Sequence, residues 1–296
     1  METSIYTSMY LGKKELEMPK GKIETKKENT LLFIDANIYL DFYRIRDSEL
    51  ENKWLKNVLD YAEILIMTEQ CHMEILKNRH RAINESLMQI KKLIEEEKKL
   101  IVPAFISEKP PAKKLSKHIA ICKKQIELIQ CEYTKVLDDR NKDNVFISIK
   151  KIIDKIDKKY YLSRSMNGEE EIRFDIRELA KKRFSMGYPP RKPNDTNFVD
   201  ALNWEWIIYC ANKYKKHIVI VTRDNDYGLW VKNSQSQSKM ILNDWLKSEF
   251  QERVSPKKKI LIFNRLSLAL KHLGLDITKA EIDIENEIAR EDLSEN

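Results

Sequence analysis

At 296 residues, 42% hydrophobic and 34% charged, the chain is long enough for about two domains, or one with a large insertion, at roughly 150 residues per domain. Its 54 Lys+Arg against 47 Asp+Glu give a net charge of +7, six Gly and eight Pro exclude a collagenous or linker-rich protein, and no apolar run approaches the ~18 residues of a membrane-spanning helix. The four cysteines (Cys71, Cys122, Cys131, Cys210) form no Cys-x-x-Cys pair, and METSIYTSMYLGKKELE lacks the pattern of a secretory signal, so the expectation is a soluble protein of a reducing cytoplasm.

In chain order, residues 1–29 form an N-terminal extension. Thr30 to Asp35 (TLLFID) then predicts a buried strand that ends in a carboxylate, and Ala62 to Thr68 (AEILIMT) predicts a second strand leading into a helix from Glu69. The middle of the chain has a different rhythm. Ile83, Leu87, Ile90 and Ile94, and later Leu115, Ile119, Cys122, Ile126, Ile129, Tyr133 and Val136, follow heptad spacing, and Pro103, Pro110 and Pro111 interrupt the two runs. A helical hairpin or short antiparallel coiled coil is expected there, followed by helices near 144–160 and 169–184.

His217 to Thr222 (HIVIVT) and Lys259 to Asn264 (KILIFN) predict two further strands. Short apolar runs separated by helical patterns imply a mainly parallel sheet with crossover helices. The expected organisation is an α/β core built from 30–84 and 190–265, a basic helical insertion at 85–189, and a C-terminal helical tail at 266–296. Between Glu85 and Lys192 there are 26 basic and 17 acidic residues, whereas the rest of the chain carries a net −2. A basic middle third attracts polyanions, nucleic acid first; the alternative is a solvated face of lysine-rich helices.

Open α/β sheets bind ligands beyond the carboxyl ends of their strands. FIDAN delivers Asp35 and Asn37 to that edge, and VTRDND delivers Asp224 and Asp226. Helix capping is the competing explanation for either site alone. Carboxylates gathered together repel one another, and a divalent cation relieves that repulsion. Asp200 lies in NFVDALNWEWIIYCA, apolar nearly all round, where a buried carboxylate is costly unless paired or metal-bound. Glu74, in TEQCHMEIL, rides on the helix that follows the second strand, and Asp195 in PNDTN reads as a helix cap.

Taken together, FIDAN, HMEIL, VDALNWEWII and TRDNDY, in that order, resemble the PIN-domain nucleases, and KKRFSMGYPPRKPNDTNFVDALNWEWII resembles one PIN-like subfamily. The resemblance covers about 30–84 and 185–265. Val199 departs from it, standing where that subfamily often has Gly. The resemblance implies a three-layer α/β/α sandwich and a hydrolase of phosphodiester bonds, with Asp35, Glu74, Asp200 and Asp224 as catalytic, metal-holding acids and Asp226 as a further ligand. Asn37 and Thr222 would orient ligands, and Arg183, Arg191, Lys192 and Arg223 would border the substrate. Oxygen-only ligands favour Mg²⁺ or Mn²⁺ over zinc. The implied substrate is nucleic acid, RNA ahead of DNA, in a toxin or antiviral setting; apart from the resemblance, the heptad face of the helical insertion offers a surface for a protein partner or a second copy.

Competing classes lack their residues. An aspartyl phosphatase needs a second Asp where Asn37 stands, a Ser-His-Asp hydrolase needs a G-x-S-x-G elbow, and the five histidines form no H-E-x-x-H. A structure-specific DNA nuclease, a non-catalytic RNA-binding scaffold and a coiled-coil interaction protein remain open alternatives.

Overall fold

The computed structural model describes residues 29–97, 102–163, 170–191, 196–232 and 238–294. The first half of the chain forms β1 (Thr30–Ile34), α1 (Ala36–Leu40), α2 (Ser48–Asp60), β2 (Leu65–Thr68), α3 (Glu69–Glu97), α4 (Pro110–Asp138), α5 (Asn144–Lys155) and β3 (Tyr161–Leu162). The second half forms α6 (Glu170–Ser185), α7 (Val199–Tyr214), β4 (His217–Val221), β5 (Gly228–Lys232), β6 (Ser238–Leu242), α8 (Asp244–Arg253), β7 (Ile260–Phe263), α9 (Leu266–His272) and α10 (Lys279–Ser294).

All four predicted strands are present. They join β3 in one parallel sheet of order β3-β2-β1-β4-β7, flanked by helices as a three-layer α/β/α sandwich. Leu32 sits between Leu65 and Val219, and Val219 faces Leu261 on β7. Every residue of β1 is buried, as continuous apolar runs in a covered parallel sheet require. The chain steps from β1 outwards to β2 and β3, then returns to the other side of β1 as β4. The strand order therefore reverses between β1 and β4, which opens a crevice at their carboxyl ends.

β5 and β6 form a separate antiparallel pair that the sequence reading did not anticipate. Gly228 is required there, because a Cβ would meet the Ile241 carbonyl oxygen at 2.2 Å. Within 85–189, two parts behave differently. α3 and α4 form the expected hairpin, with Pro110 and Pro111 opening α4, where a missing N–H costs nothing. Its heptad seam closes only at the base: Ile83 and Leu87 are buried, while Leu115 and Ile129 are 42% and 41% exposed. Arg79 fixes that base, its Nε donating to Asp143, the N-cap of α5, at 2.6 Å and its Nη2 to the Val136 carbonyl at 2.6 Å. The second part, 144–185, returns to the core: Ile149, Ile152 and Ile176 are buried, and β3 adds the edge strand of the sheet.

The C-terminal segment also docks onto the core. Thr278 and Glu281 cap α10 reciprocally, and Glu281 accepts from Trp54 Nε1 on α2 and pairs with Lys53 at 2.8 Å. Buried Glu285 accepts from the backbone N–H groups of Leu266 (2.6 Å) and Ser267 (3.0 Å), the first turn of α9. Among the described residues no helix is long and apolar enough to cross a membrane.

Candidate active site

Ile34 and Val221 are in register, so the residues that follow them, Asp35 and Thr222, emerge side by side at the crevice. Asp35 is 4% exposed. One carboxylate oxygen accepts from the Ala36 N–H at 2.7 Å, and the other from Asn37 Nδ2 at 3.1 Å and Thr222 Oγ1 at 2.6 Å. Capping and site chemistry thus coexist at this residue, since Asp35 is also the N-cap of α1. Burial, then the charge of Asp224, raise its pKa to about 7; the Thr222 hydrogen bond offsets part of the rise, and Glu74 adds to it.

The Thr222 hydroxyl accepts from the Asp224 N–H at 3.1 Å, so it couples the two acids. Capping does not explain Asp224: the chain turns there into strand β5 and not into a helix. Asp226 lies half-buried in the same turn. Fully buried Tyr227 donates its hydroxyl to the Asp200 carbonyl at 3.3 Å, and burial with the charges of Asp200, Asp35 and Asp224 raises its pKa well above the usual phenol value.

Two helices bring the remaining acids. Asp200 occupies the first turn of α7 and Glu74 an early turn of α3. Fully buried Cys71 lies beneath them: burial, then Asp35, Glu74 and Asp200, push its thiol pKa up. The structure therefore brings Asp35, Glu74, Asp200 and Asp224 to one neighbourhood. It corrects the reason given for Asp200, which is half-exposed to the crevice; the deeply buried carboxylate of α7 is Glu205. The start of α7 is held by Asn197, whose Oδ1 accepts from the Val199 N–H at 3.2 Å, and Asp195 lies outside the described residues.

The donor set fits a hard divalent ion. Its atoms are carboxylate oxygens whose mutual repulsion a cation would relieve, and the Asn37 Oδ1 is buried with no hydrogen-bond partner among the described residues. Among the described residues no three acid, His or Cys side chains converge closely enough to cage one ion.

The basic residues expected to border the substrate fare differently. Arg183 is corrected: it is 4% exposed by side chain, bonded to Glu205 at 2.8 Å, to Glu249 and to the Pro189 carbonyl, and it ties α6 to α7 and α8. Only partners 22 and 66 residues downstream reveal this. Arg191 stacks over Phe184 at 4.4 Å and donates to the Phe184 carbonyl, holding its own loop. Arg223 pairs with Asp41 at 2.5 Å and reaches the Asn37 carbonyl at 3.4 Å, so it buttresses the loop after Asp35. Lys192 lies outside the described residues. Tyr188 packs against Trp245, ring centroids 5.1 Å apart.

The sequence reading missed Thr68, which links the end of β2 to Asn203 of α7 through a 2.5 Å hydrogen bond, and Cys71 and Tyr227 beneath the acids. Apolar and small polar residues beside a motif carry no signal of their own, although each stands within three residues of a singled-out acid or strand end.

A family model described as PIN domain matches residues 32–227. The match runs through the helical span that the motif resemblance left out, and it ends at Tyr227, after all four acids. Neither the curated proteins nor the solved structures compared with the chain gave a match. With the family match spanning well over half of the chain, this chain belongs to the PIN-domain family, whose fold is that of typically metal-dependent nucleases.

Proposed function

We propose that the chain is an endonuclease that hydrolyses phosphodiester bonds, with RNA preferred over DNA and Mg²⁺ or Mn²⁺ as the ion. The observation that carries this reading is the state of Asp35: a buried carboxylate whose strongest charged neighbours, Asp224 and Glu74, are also acids. Such a site is costly alone and suited to a cation. Asp35, Asp200 and Asp224 would hold the ion, with Glu74 and Asp226 binding it or orienting its waters. A divalent ion there supplies positive charge at the scissile phosphate and lowers the pKa of an attacking water. Thr222 holds Asp35 and Asp224 in mutual register, Arg223 and Asp41 fix the backbone at Asn37, and the burial of Asp35 excludes bulk water from the inner face.

The basic middle third supports a polyanionic substrate. A cytoplasmic role in a toxin or antiviral system agrees with this chemistry and is part of the proposal. The test is cleavage of labelled single-stranded RNA and DNA of one sequence, with Mn²⁺, Mg²⁺ or EDTA. RNA cutting that needs the ion and disappears in Asp35→Asn is the expected result. A preference for branched DNA would move the reading to a structure-specific DNA nuclease, and a folded, ion-loaded protein that cuts neither would move it to a binding scaffold.

A further inference from the structure

Beside the acids lies a pocket of about 340 Å³ whose lining includes Glu69, Met73, Ser163, Arg173, Arg177 and Leu202. Its place follows from the topology. β2 and β3 end side by side, with Thr68 opposite Leu162, so Glu69 and Ser163 stand at the same carboxyl edge as Asp35. Met73 adjoins Glu74 on α3, and Leu202 belongs to α7, the helix whose first turn carries Asp200. The pocket therefore opens at the same sheet edge as the acids, on its β3 side.

Its charge comes from α6, which packs against α7. Arg173 and Arg177 stand one helical turn apart, both half-buried. Arg177 makes no hydrogen bond or ion pair among the described residues, in contrast to Arg183 on the same helix. A guanidinium drawn partly out of water and aimed into a cavity suits a planar anion that can accept two hydrogen bonds, and phosphate is such an anion. Met73 and Leu202 give the pocket apolar walls.

Resting on the nuclease reading above, we infer that this pocket is a second phosphate subsite: Arg173 and Arg177 hold the phosphodiester next to the scissile one, and the intervening nucleoside lies against Met73 and Leu202. The subsite fixes the register of the strand, so that the acids meet one linkage at a time.

The test is binding of fluorescein-labelled single-stranded RNA by the full chain in EDTA, with one neutral methylphosphonate linkage moved along the strand. In wild type, neutralising one linkage is expected to weaken binding about tenfold, on the order of a single lost arginine–phosphate contact. Arg177→Ala and Arg173→Ala should weaken binding of the unmodified strand similarly and lose sensitivity to that linkage. Each should also reduce the salt slope by about 1. Arg177→Lys should recover part of the affinity, Arg177→Gln should behave as the alanine, and a 5′-phosphate should bind no better than a 5′-hydroxyl. Folded arginine variants that bind with wild-type affinity and slope, or a wild type indifferent to every linkage, would overturn the inference. Mn²⁺-dependent cleavage on the same proteins separates the two readings: linkage-specific binding without cutting keeps the subsite and removes the nuclease.

Discussion

One helix, α7, serves two clusters of charge that are built in opposite ways. At its start, Asp200 joins Asp35, Glu74 and Asp224, and the strongest charged neighbours of Asp35 are acids. Five residues on, Glu205 is buried between Arg183 and Arg253, which also share Glu249, while Trp204 Nε1 donates to Glu249 at 3.0 Å. The second cluster has two guanidinium groups for two carboxylates, each fixed by hydrogen bonds. The first leaves a buried carboxylate with a pKa near 7. Balanced charge here joins α6, α7 and α8, whereas the excess of negative charge is where the proposed function places a cation and a phosphate.

The sharpest way to break this comparison is to unbalance the structural cluster. Arg183→Ala leaves Glu205 and Glu249 short of one cation, and we expect a loss of roughly 3–5 kcal/mol in denaturant unfolding, with cleavage per folded molecule retained. A stable variant without activity would reverse the two assignments. The converse change, Asp200→Asn, should lower cleavage on the order of 10²–10³-fold and leave the unfolding midpoint close to wild type, because Asp200 is half-exposed.

Thr222→Ala is a smaller change within the acid cluster. It removes the donor to Asp35 and the acceptor for the Asp224 N–H, so divalent-ion affinity should fall roughly 10–100-fold, and Thr222→Ser should restore it. Calorimetric titration with Mn²⁺ reads both variants. An effect of comparable size is expected of pH. Because the pKa of Asp35 is raised to about 7, a proton competes with the ion below that value, and affinity should fall by up to about tenfold per pH unit between 7 and 5. Without the ion, this raised pKa contributes stability that is fully present below the ordinary carboxylate range and lost as pH rises through 7. The Asp35 contribution thus has the opposite sign to that of a salt-bridged carboxylate.

The comparison also explains what the sequence disclosed. Short but uninterrupted apolar runs leading to acids located β1, β4 and their crevice, because burial on both faces leaves no polar residue within the run. β3 has only two residues, Tyr161 and Leu162, too few to show a period, and β5 follows so closely on TRDND that its alternation was hidden. The acids were legible because four of them stood in a familiar order. Arg183 was misplaced because its sequence neighbours are basic and its partners lie on other helices. Arg173 and Arg177 were passed over for the same reason: one turn of a charged helix looks solvated until the fold shows which pocket it lines.

The central claim is that the acid cluster, and not the balanced one, receives a divalent ion, and Mn²⁺ binding followed by electron paramagnetic resonance at pH 8 tests it most directly. Wild type and Arg253→Lys, which keeps the charge of the structural cluster, should bind Mn²⁺ alike, while Asp35→Asn and Asp224→Asn should lose the bound signal. Binding that survives in both aspartate variants, or a folded wild type that binds none, would contradict the account.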